Sequence, residues 1–257
     1  MSEVLNKVSD CVDAVFVLSV ASFTQRIEHV KKQFQDHGIA FNFIFDYDPP
    51  EIDQQLLDAV FAESPMRLPH QSLVLKHIKA WQVAREQSYK RILIFEDDVF
   101  LCRDFTQKLC AGAPLIDKLD EGYLVYLGGS DTKVTDSFFL SDEMLVPQPI
   151  ATTEGYITDL AAINKRLDWL DKNKVTLPAD HLVRSIDGLI DIRQYWFREP
   201  LVEQGSVFGY FDTELDSSRS KHGRLYNVLR YRWNRFQRRK LRRWLVKLKV
   251  FLGMKIA

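Results

Sequence analysis

The chain has 257 residues, of which 46% are hydrophobic and 12% aromatic, so it can build a packed core and is neither disordered nor fibrous. Its 35 basic and 35 acidic residues balance in number but are unevenly placed along the chain. Residues 219–257 hold 14 of the basic residues and no acidic one, whereas the remainder holds 21 basic against 35 acidic residues. We therefore predict an acidic domain over residues 1–218 and a separate cationic tail over residues 219–257.

Two features of the sequence bear on where the protein works. The N-terminal segment has acidic residues where a secretion signal would be basic, and the three cysteines lack the spacing of a zinc site. No apolar run approaches the length of about 20 residues that crosses a bilayer. We expect a protein that lies in the cytosol or on the inner face of the membrane.

The first half of the chain alternates between strand and helix patterns. Residues 14–20 are apolar and β-branched, as in a strand buried on both faces, and a helical pattern closed by Gly38 follows. The same reasoning predicts, in order, strand 41–45, helices 53–62 and 72–87, strand 91–95, helix 105–119 and strand 123–127. Pro65 and Pro69 are expected to separate the two consecutive helices. This alternation predicts an α/β domain with a mainly parallel sheet, whose ligands bind at the carboxyl ends of the strands.

The second half of the chain is less regular. The pattern predicts a helix over about residues 159–172 and a strand or hairpin over residues 189–197, followed by an irregular segment over residues 199–218. We find no internal repeat and no low-complexity linker before the tail. Residues before the tail are therefore expected to form one domain.

Three carboxylates, Glu96, Asp97 and Asp98, directly follow the predicted strand 91–95. Side chains alternate between the two faces of a strand, so Glu96 and Asp98 are expected to point one way and Asp97 the other. Neighbouring carboxylates repel each other, and a hard divalent cation that keeps several waters would neutralise them. The alternative is a solvated acidic turn. Because the cluster follows a buried strand, we favour a metal site.

Seven segments of the chain, taken in order, resemble glycosyltransferase family 25, which includes lipooligosaccharide galactosyltransferases of Gram-negative bacteria. The segments are FVLSVASFTQR (16–26), LKHIKAW (75–81), ILIFEDDV (92–99), YLVYLG (123–128), the T-x-x-Y segment (152–162), LPADH (177–181) and PLVEQGS (200–206). Two departures from the family pattern stand out. Lys76 replaces the usual Ser before His77, and residues 69–74 lack the glycines that often precede that helix.

The resemblance implies a GT-A fold, with a Rossmann-like nucleotide-sugar half over about residues 12–130 and an acceptor half over about residues 131–218. It also implies a divalent cation, usually Mn²⁺ (or Mg²⁺), a UDP-sugar donor, commonly UDP-galactose, and inversion at the anomeric carbon. We assign Asp98 as the direct metal ligand and Glu96 as a second ligand or a donor contact. The residues assigned to the donor site are Ser19, Arg26, His77, Glu96, Asp97, Gln204 and Gly205.

An inverting transfer needs a base that takes the proton of the acceptor hydroxyl. Asp180 and His181, in the LPADH segment, are the first candidates, and Glu154 is the next. Two alternatives stay open at this point. Asp180 is the favoured base, but an Asp at this position is also ordinary as the N-cap of a helix. His77 is favoured for the donor site by its place in the family pattern, but its core spacing on the helix also suits packing.

Apolar residues recur at helical spacing through the tail, between many Lys and Arg residues. This pattern predicts a basic amphipathic helix that lies on an anionic membrane, where a glycolipid acceptor resides. Docking to a partner enzyme is the alternative, and we expect no nucleic-acid binding because no base-reading motif is present. The rival functions are a nucleotidyltransferase or phosphohydrolase that uses the same carboxylates, and an inactive membrane-bound scaffold.

Overall fold

The structure is a computed structural model that describes residues 7–129, 132–205, 210–211 and 224–254. Its strands are β1 (Ala14–Leu18), β2 (Asn42–Ile44), β3 (Arg91–Glu96), β4 (Val99–Leu101), β5 (Tyr123–Tyr126), β6 (Leu145–Pro147), β7 (Gly155–Asp159), β8 (Arg193–Phe197) and β9 (Val202–Gln204). Its helices are α1 (Thr24–Asp36), α2 (Gln54–Val60), α3 (Leu68–Glu86), α4 (Phe105–Ile116), α5 (Leu160–Leu170), α6 (Ala179–Leu189), α7 (Arg224–Arg235) and α8 (Arg242–Phe251). A π-helix (Phe236–Leu241) joins the last two helices.

Seven of the strands form one sheet in the order β2-β1-β3-β7-β5-β8-β6. β1 pairs in parallel with β2 and β3, and β5 pairs in parallel with β8, whereas β7 and β6 run antiparallel to their neighbours. Five of the seven strands therefore share one direction. The predicted α/β domain with a mainly parallel sheet is confirmed.

Helices cover both faces of this sheet because the strand residues alternate between two apolar clusters. Ile92 and Ile94 of β3 pack in one cluster, which includes residues of α3, α5 and α6. Leu93 and Phe95 pack in the other cluster, which includes residues of α1 and α4. A strand buried on both faces is continuously apolar, which is the pattern seen in the sequence.

Several local predictions were wrong. The segment 199–218, predicted to be irregular, contains β9, and the strand or hairpin predicted over residues 189–197 is a strand only over Arg193–Phe197, because Leu189 ends α6. Pro69 does not separate two helices but lies in the first turn of α3, where its missing N–H costs no hydrogen bond, so the helix begins at Leu68 and not at Ser72. The sequence reasoning also missed β7, which lies in the middle of the sheet between β3 and β5. β7 escaped notice because it is short and because Gly155 and Asp159, at its two ends, are residue types that are depleted in strands.

The described part of the tail is helical, as predicted, and it packs on the domain through one face. Val246 is 1% exposed at this contact, whereas Trp244 and Phe251 are 60% and 85% exposed. Among the described residues, every helix is too short or too polar to span a membrane.

Candidate functional site

Asp97 lies at the carboxyl end of β3 and is held by two side chains from the neighbouring β1–α1 segment. Ser19 Oγ donates a hydrogen bond to Asp97 Oδ2 at 2.7 Å, and Arg26 Nη1 donates to Asp97 Oδ1 at 2.7 Å. The Arg26–Asp97 ion pair is largely buried, so it is only weakly screened by water. Three of the predicted donor-site residues are therefore brought together, although they are spread over 78 positions of the sequence.

Glu96 and Asp98 have a different environment from that of Asp97. Burial of the Glu96 carboxyl group and the nearby charge of Asp98 raise the pKa of Glu96 to about 8, and the charges of Glu154 and Asp180 add to this shift. Thr153 Oγ1 donates a hydrogen bond to Glu96 Oε1 at 2.7 Å and opposes the shift. The site thus brings carboxyl groups together whose mutual repulsion a bound cation would relieve.

The short β4–β9 sheet places the predicted Gln204 and Gly205 beside the carboxylates. Gln204 pairs with Val99, and the Gly205 N–H donates to the Asp98 carbonyl oxygen at 2.6 Å. A Cβ atom on Gly205 would lie 2.5 Å from Phe100 Cε2 and 2.8 Å from that same carbonyl oxygen. Gly205 therefore allows the backbones of β9 and of the segment around Asp98 to approach closely, which the side chain of any larger residue would prevent.

Glu154 reaches the site because β7 runs antiparallel to β3, so that the amino end of β7 meets the carboxyl end of β3. The Glu96 N–H donates to the Glu154 carbonyl oxygen at 3.2 Å. The Glu154 side chain is buried against the turn after β5, where its Oε1 accepts a hydrogen bond from the Gly129 N–H at 2.5 Å. Glu154 thus joins the carboxylates of β3 to the Gly128-Gly129 turn.

Asp180 and His181 lie in the first turn of α6. Asp180 Oδ1 accepts a hydrogen bond from the His181 N–H at 2.8 Å, so it satisfies one of the free donors at this helix end. The side chains of Asp180 and His181 are 39% and 58% exposed. The charge of Asp180 contributes to the raised pKa of Glu96, so the two carboxyl groups influence each other. The N-cap of α6 is Pro178, so the alternative that Asp180 is the N-cap of this helix was wrong, and its assignment as the base stays a prediction.

His77 lies in the core, where it is 1% exposed. Its Nδ1 shares a hydrogen bond of 3.0 Å with the Tyr156 hydroxyl group, which also accepts one from Trp81 Nε1 at 3.0 Å. Burial and the charge of Arg166 lower the pKa of His77 to about 3, so the ring is neutral. The structure gives His77 a packing role, and its assignment to the donor site stays a prediction.

Sequence reasoning treated Lys76 only as a departure from the family pattern, but this residue organises the neighbouring end of β2. Its buried Nζ donates to Asp48 Oδ1 at 2.6 Å and to the carbonyl oxygens of Phe45 and Asp46. Asp48 Oδ2 in turn accepts a hydrogen bond from the Ala21 N–H at 2.8 Å, in the segment after β1. A lysine on the apolar face of a predicted helix is the sequence signal that could have revealed this network.

The resemblance implies a divalent cation, for which carboxylate groups of the site are the candidate ligands. In the part of the chain that the structure describes, no group of three or more His, Cys, Asp or Glu side chains is arranged to hold a metal ion. Glu96 and Asp98 nevertheless offer the oxygen ligands that Mn²⁺ and Mg²⁺ prefer. The charge of Asp98 contributes to the raised pKa of Glu96, so a cation between the two groups would relieve their repulsion. Such cations often use one or two carboxylates and complete their coordination with waters and phosphate oxygens. The residues present therefore fit a divalent cation that arrives with a phosphate-bearing donor.

Comparison with known proteins identifies a family that the chain matches. Residues 12–183, more than half of the chain, match the family described as glycosyltransferase family 25 (LPS biosynthesis protein). The chain is 29% identical over 108 residues to the lacto-N-neotetraose biosynthesis glycosyltransferase LgtB of Neisseria meningitidis serogroup B (strain ATCC BAA-335 / MC58), a match that spans 40% of this chain and 39% of that protein. It also resembles a solved glycosyltransferase involved in the glycosylation of the major capsid of PBCV-1, at 13% identity and a TM-score of 0.43, over 85% of this chain and 99% of the other.

Proposed function

Because the chain belongs to glycosyltransferase family 25, we propose that it moves a sugar from a nucleotide-sugar donor to a lipopolysaccharide or related glycolipid acceptor. We take UDP-galactose as the donor, since known members of the family commonly use it. We propose that the reaction inverts the configuration at the anomeric carbon of the transferred sugar. The observation that carries it is the acidic cluster at the end of β3, next to the Arg26–Asp97 ion pair.

The two halves of this cluster have different tasks in the proposed reaction. Asp98 and Glu96 would hold a Mn²⁺ or Mg²⁺ ion, which would stabilise the charge on the departing nucleoside diphosphate. Asp97 is paired with Arg26 and Ser19 and holds both side chains in place for the donor. Gln204 and Gly205 line the neighbouring edge through the β4–β9 sheet.

Asp180 is the residue we assign as the base that takes the proton of the acceptor hydroxyl group. It is partly exposed, so an acceptor from solvent can reach it, and its charge acts on Glu96. Glu154 is buried and bonded to Gly129, which suits a positioning role better. His181 is the more exposed neighbour of Asp180 and is the alternative base.

We propose further that the tail attaches the enzyme to an anionic membrane at the inner face of the inner membrane. A helix on a protein surface ordinarily turns its apolar face inward. α8 does the opposite, since it packs through Arg242, Val246 and Lys249 and leaves Trp244 and Phe251 exposed. An exposed apolar face with aromatic residues, on a helix rich in Lys and Arg, is suited to the membrane interface.

The donor and the metal can be tested by measuring thermal shifts with UDP-, GDP-, CMP- and dTDP-sugars, each with and without Mn²⁺. The proposal expects stabilisation by a UDP-sugar that depends on Mn²⁺. Hydrolysis of the nucleotide sugar at the same rate with and without an acceptor would favour a phosphohydrolase instead. A protein that no nucleotide sugar stabilises would favour the inactive scaffold.

Asp98→Asn is the matching variant. It keeps the shape of the side chain but removes the charge that we assign to the metal, so sugar transfer should fall by about 10²–10³. Transfer is measured with saturating donor and Mn²⁺, and circular dichroism checks the fold. Asp171→Asn is the control, because Asp171 is an exposed carboxylate at the end of α5. Near-normal turnover of Asp98→Asn would show that Asp98 is not the metal ligand.

A further inference from the structure

The tail contacts the domain at the loop that follows β5. Asp136 in this loop has a side chain that is 7% exposed and lies between two cations of α8. Its Oδ1 accepts a hydrogen bond from Arg242 Nε at 2.8 Å, and its Oδ2 accepts one from Lys249 Nζ at 2.9 Å. These two bonds lower the pKa of Asp136, so the group is ionised at neutral pH. We call Asp136, Arg242 and Lys249 the tail clamp.

A second contact is made by Arg239, which lies in the π-helix just before Arg242 of the clamp. The guanidinium group of Arg239 stacks 4.3 Å from the ring centre of Trp196 and 5.2 Å from that of Phe138. Trp196 is fully buried, and its Nε1 donates to the Gly128 carbonyl oxygen at 2.6 Å. Arg239 therefore packs on the side chain that holds the Gly128-Gly129 turn.

This turn belongs to the candidate site. A Cβ atom on Gly128 would lie 1.8 Å from Glu154 Oε1, so the Glu154 carboxylate rests directly on the glycine backbone. The same carboxylate accepts from the Gly129 N–H, and the backbone of Glu154 is bonded to that of Glu96. The described contacts thus connect the tail, through Arg239 and Trp196, with the Gly128-Gly129 turn, and this turn, through Glu154, with the backbone of Glu96.

We infer that Asp136 is a positioning residue, which fastens α8 to the loop after β5 and so holds the Gly128-Gly129 turn and Glu154 in the arrangement that sugar transfer requires. The inference rests on the proposed function. It changes the meaning of the tail, because a tail that served only as an anchor would leave transfer to a soluble acceptor unaffected. Here the tail completes the site even when no membrane is present.

The test uses the full-length chain without lipid, a soluble acceptor and the variant Asp136→Asn, which keeps the shape of the side chain but not its charge. We expect kcat to fall by on the order of tenfold or more, because misplaced site groups lose their orientation. The KM for the donor should change little, since Asp97 and Arg26 are held by bonds between β3 and the β1–α1 segment. Asp136→Glu restores the charge and should recover part of the lost rate. Asp171→Asn is again the control.

Hydrogen exchange provides a readout that does not depend on activity. The amide of Gly129 should exchange faster in Asp136→Asn than in the wild type, while the amides of β1 should exchange at the same rate. Should Asp136→Asn fail to fold, the double variant Arg242→Gln, Lys249→Gln alters the same clamp from the exposed side of the contact.

The outcomes separate the two proposals. A wild-type protein that binds no nucleotide sugar contradicts the proposed function, whereas a wild-type protein that transfers sugar leaves the clamp to be judged by its variants. Faster exchange at Gly129 together with a lower kcat supports the inference. An unchanged kcat, or an unchanged exchange rate at Gly129, in a folded clamp variant overturns it.

Discussion

Asp97 and Glu96 are adjacent in the chain, yet their surroundings differ. Asp97 accepts hydrogen bonds from the Ser19 hydroxyl group and from the Arg26 guanidinium group. Desolvation of the half-buried Glu96 and the charge of the nearby Asp98 raise the pKa of Glu96 to about 8, which favours its neutral form. Asp97 is thus held in place by two donors, while Glu96 would exchange its proton for a metal ion.

His77 leads to a prediction about pH and stability. Its pKa is lowered from 6.5 to about 3 in the folded protein, so the unfolded chain binds a proton between these values and the folded protein does not. The free energy of unfolding should therefore fall as the pH drops below about 6.5, by about 2 kcal/mol between pH 7 and pH 5 from this residue alone. Urea unfolding at the two pH values measures the difference.

The comparison for this prediction is His77→Gln, which cannot titrate but can keep a hydrogen bond to Tyr156. Its loss of stability between pH 7 and pH 5 should be smaller than that of the wild type by about the same 2 kcal/mol. If both proteins lose the same amount, the pH dependence comes from other groups.

At the level of elements, the β4–β9 sheet fixes the position of Asp98. β4 continues directly from the carboxylates of β3, and β9 pairs with it antiparallel so that Gly205 bonds to the Asp98 carbonyl oxygen. The position of Asp98 therefore depends on the close approach of two backbones. This approach is possible only because residue 205 has no side chain.

Gly205→Ala tests this dependence. The added methyl group would overlap Phe100 and the Asp98 carbonyl oxygen, so the two strands must separate. We expect a loss of about 1–3 kcal/mol in the free energy of unfolding and a lower transfer rate. Gly188→Ala is the matched control, because a Cβ atom at this position of α6 has no neighbour within 4 Å, and alanine favours the helix. Equal behaviour of the two variants would show that the strands tolerate separation.

On the scale of the whole molecule, the tail has two faces with different chemistry. The inner face contributes Arg239, Arg242 and Lys249 to contacts with the domain. The outer face exposes large apolar side chains, of which Trp244, Phe251 and Leu252 are 60%, 85% and 58% exposed. A helix arranged in this way can contact the domain and a membrane at the same time, which would hold the site at a fixed orientation to the bilayer.

The double variant Trp244→Ser, Phe251→Ser tests the membrane contact. Loss of two large apolar side chains should weaken binding to vesicles that contain phosphatidylglycerol by on the order of tenfold or more. Cosedimentation measures the binding, and transfer to a soluble acceptor should persist because the clamp is intact. Leu189→Ser is the control, since Leu189 is 71% exposed at the end of α6. Unchanged vesicle binding would point to a partner enzyme as the ligand of this face.

Local patterns were sufficient to predict much of this protein. The alternation of apolar strands and helices predicted the α/β class, because burial on two faces needs continuous apolar runs. The carboxylate motif after β3 and the order of the seven segments predicted the family. Each strand, helix and motif is a signal within a few neighbouring residues, and the family follows from the order of such short segments along the chain.

Contacts between distant parts of the chain were decided only by the tertiary structure. The insertion of β7 between β3 and β5 brings Glu154 to Glu96, and no local pattern specifies which strands become neighbours. The polarity of α8 predicted an amphipathic helix but not which face would pack inward, because Asp136 lies 106 residues before its partner Arg242. The sequence by itself determined which groups the protein has for its chemistry. Long-range packing decided which of those groups are neutralised, which remain charged, and how the tail joins them.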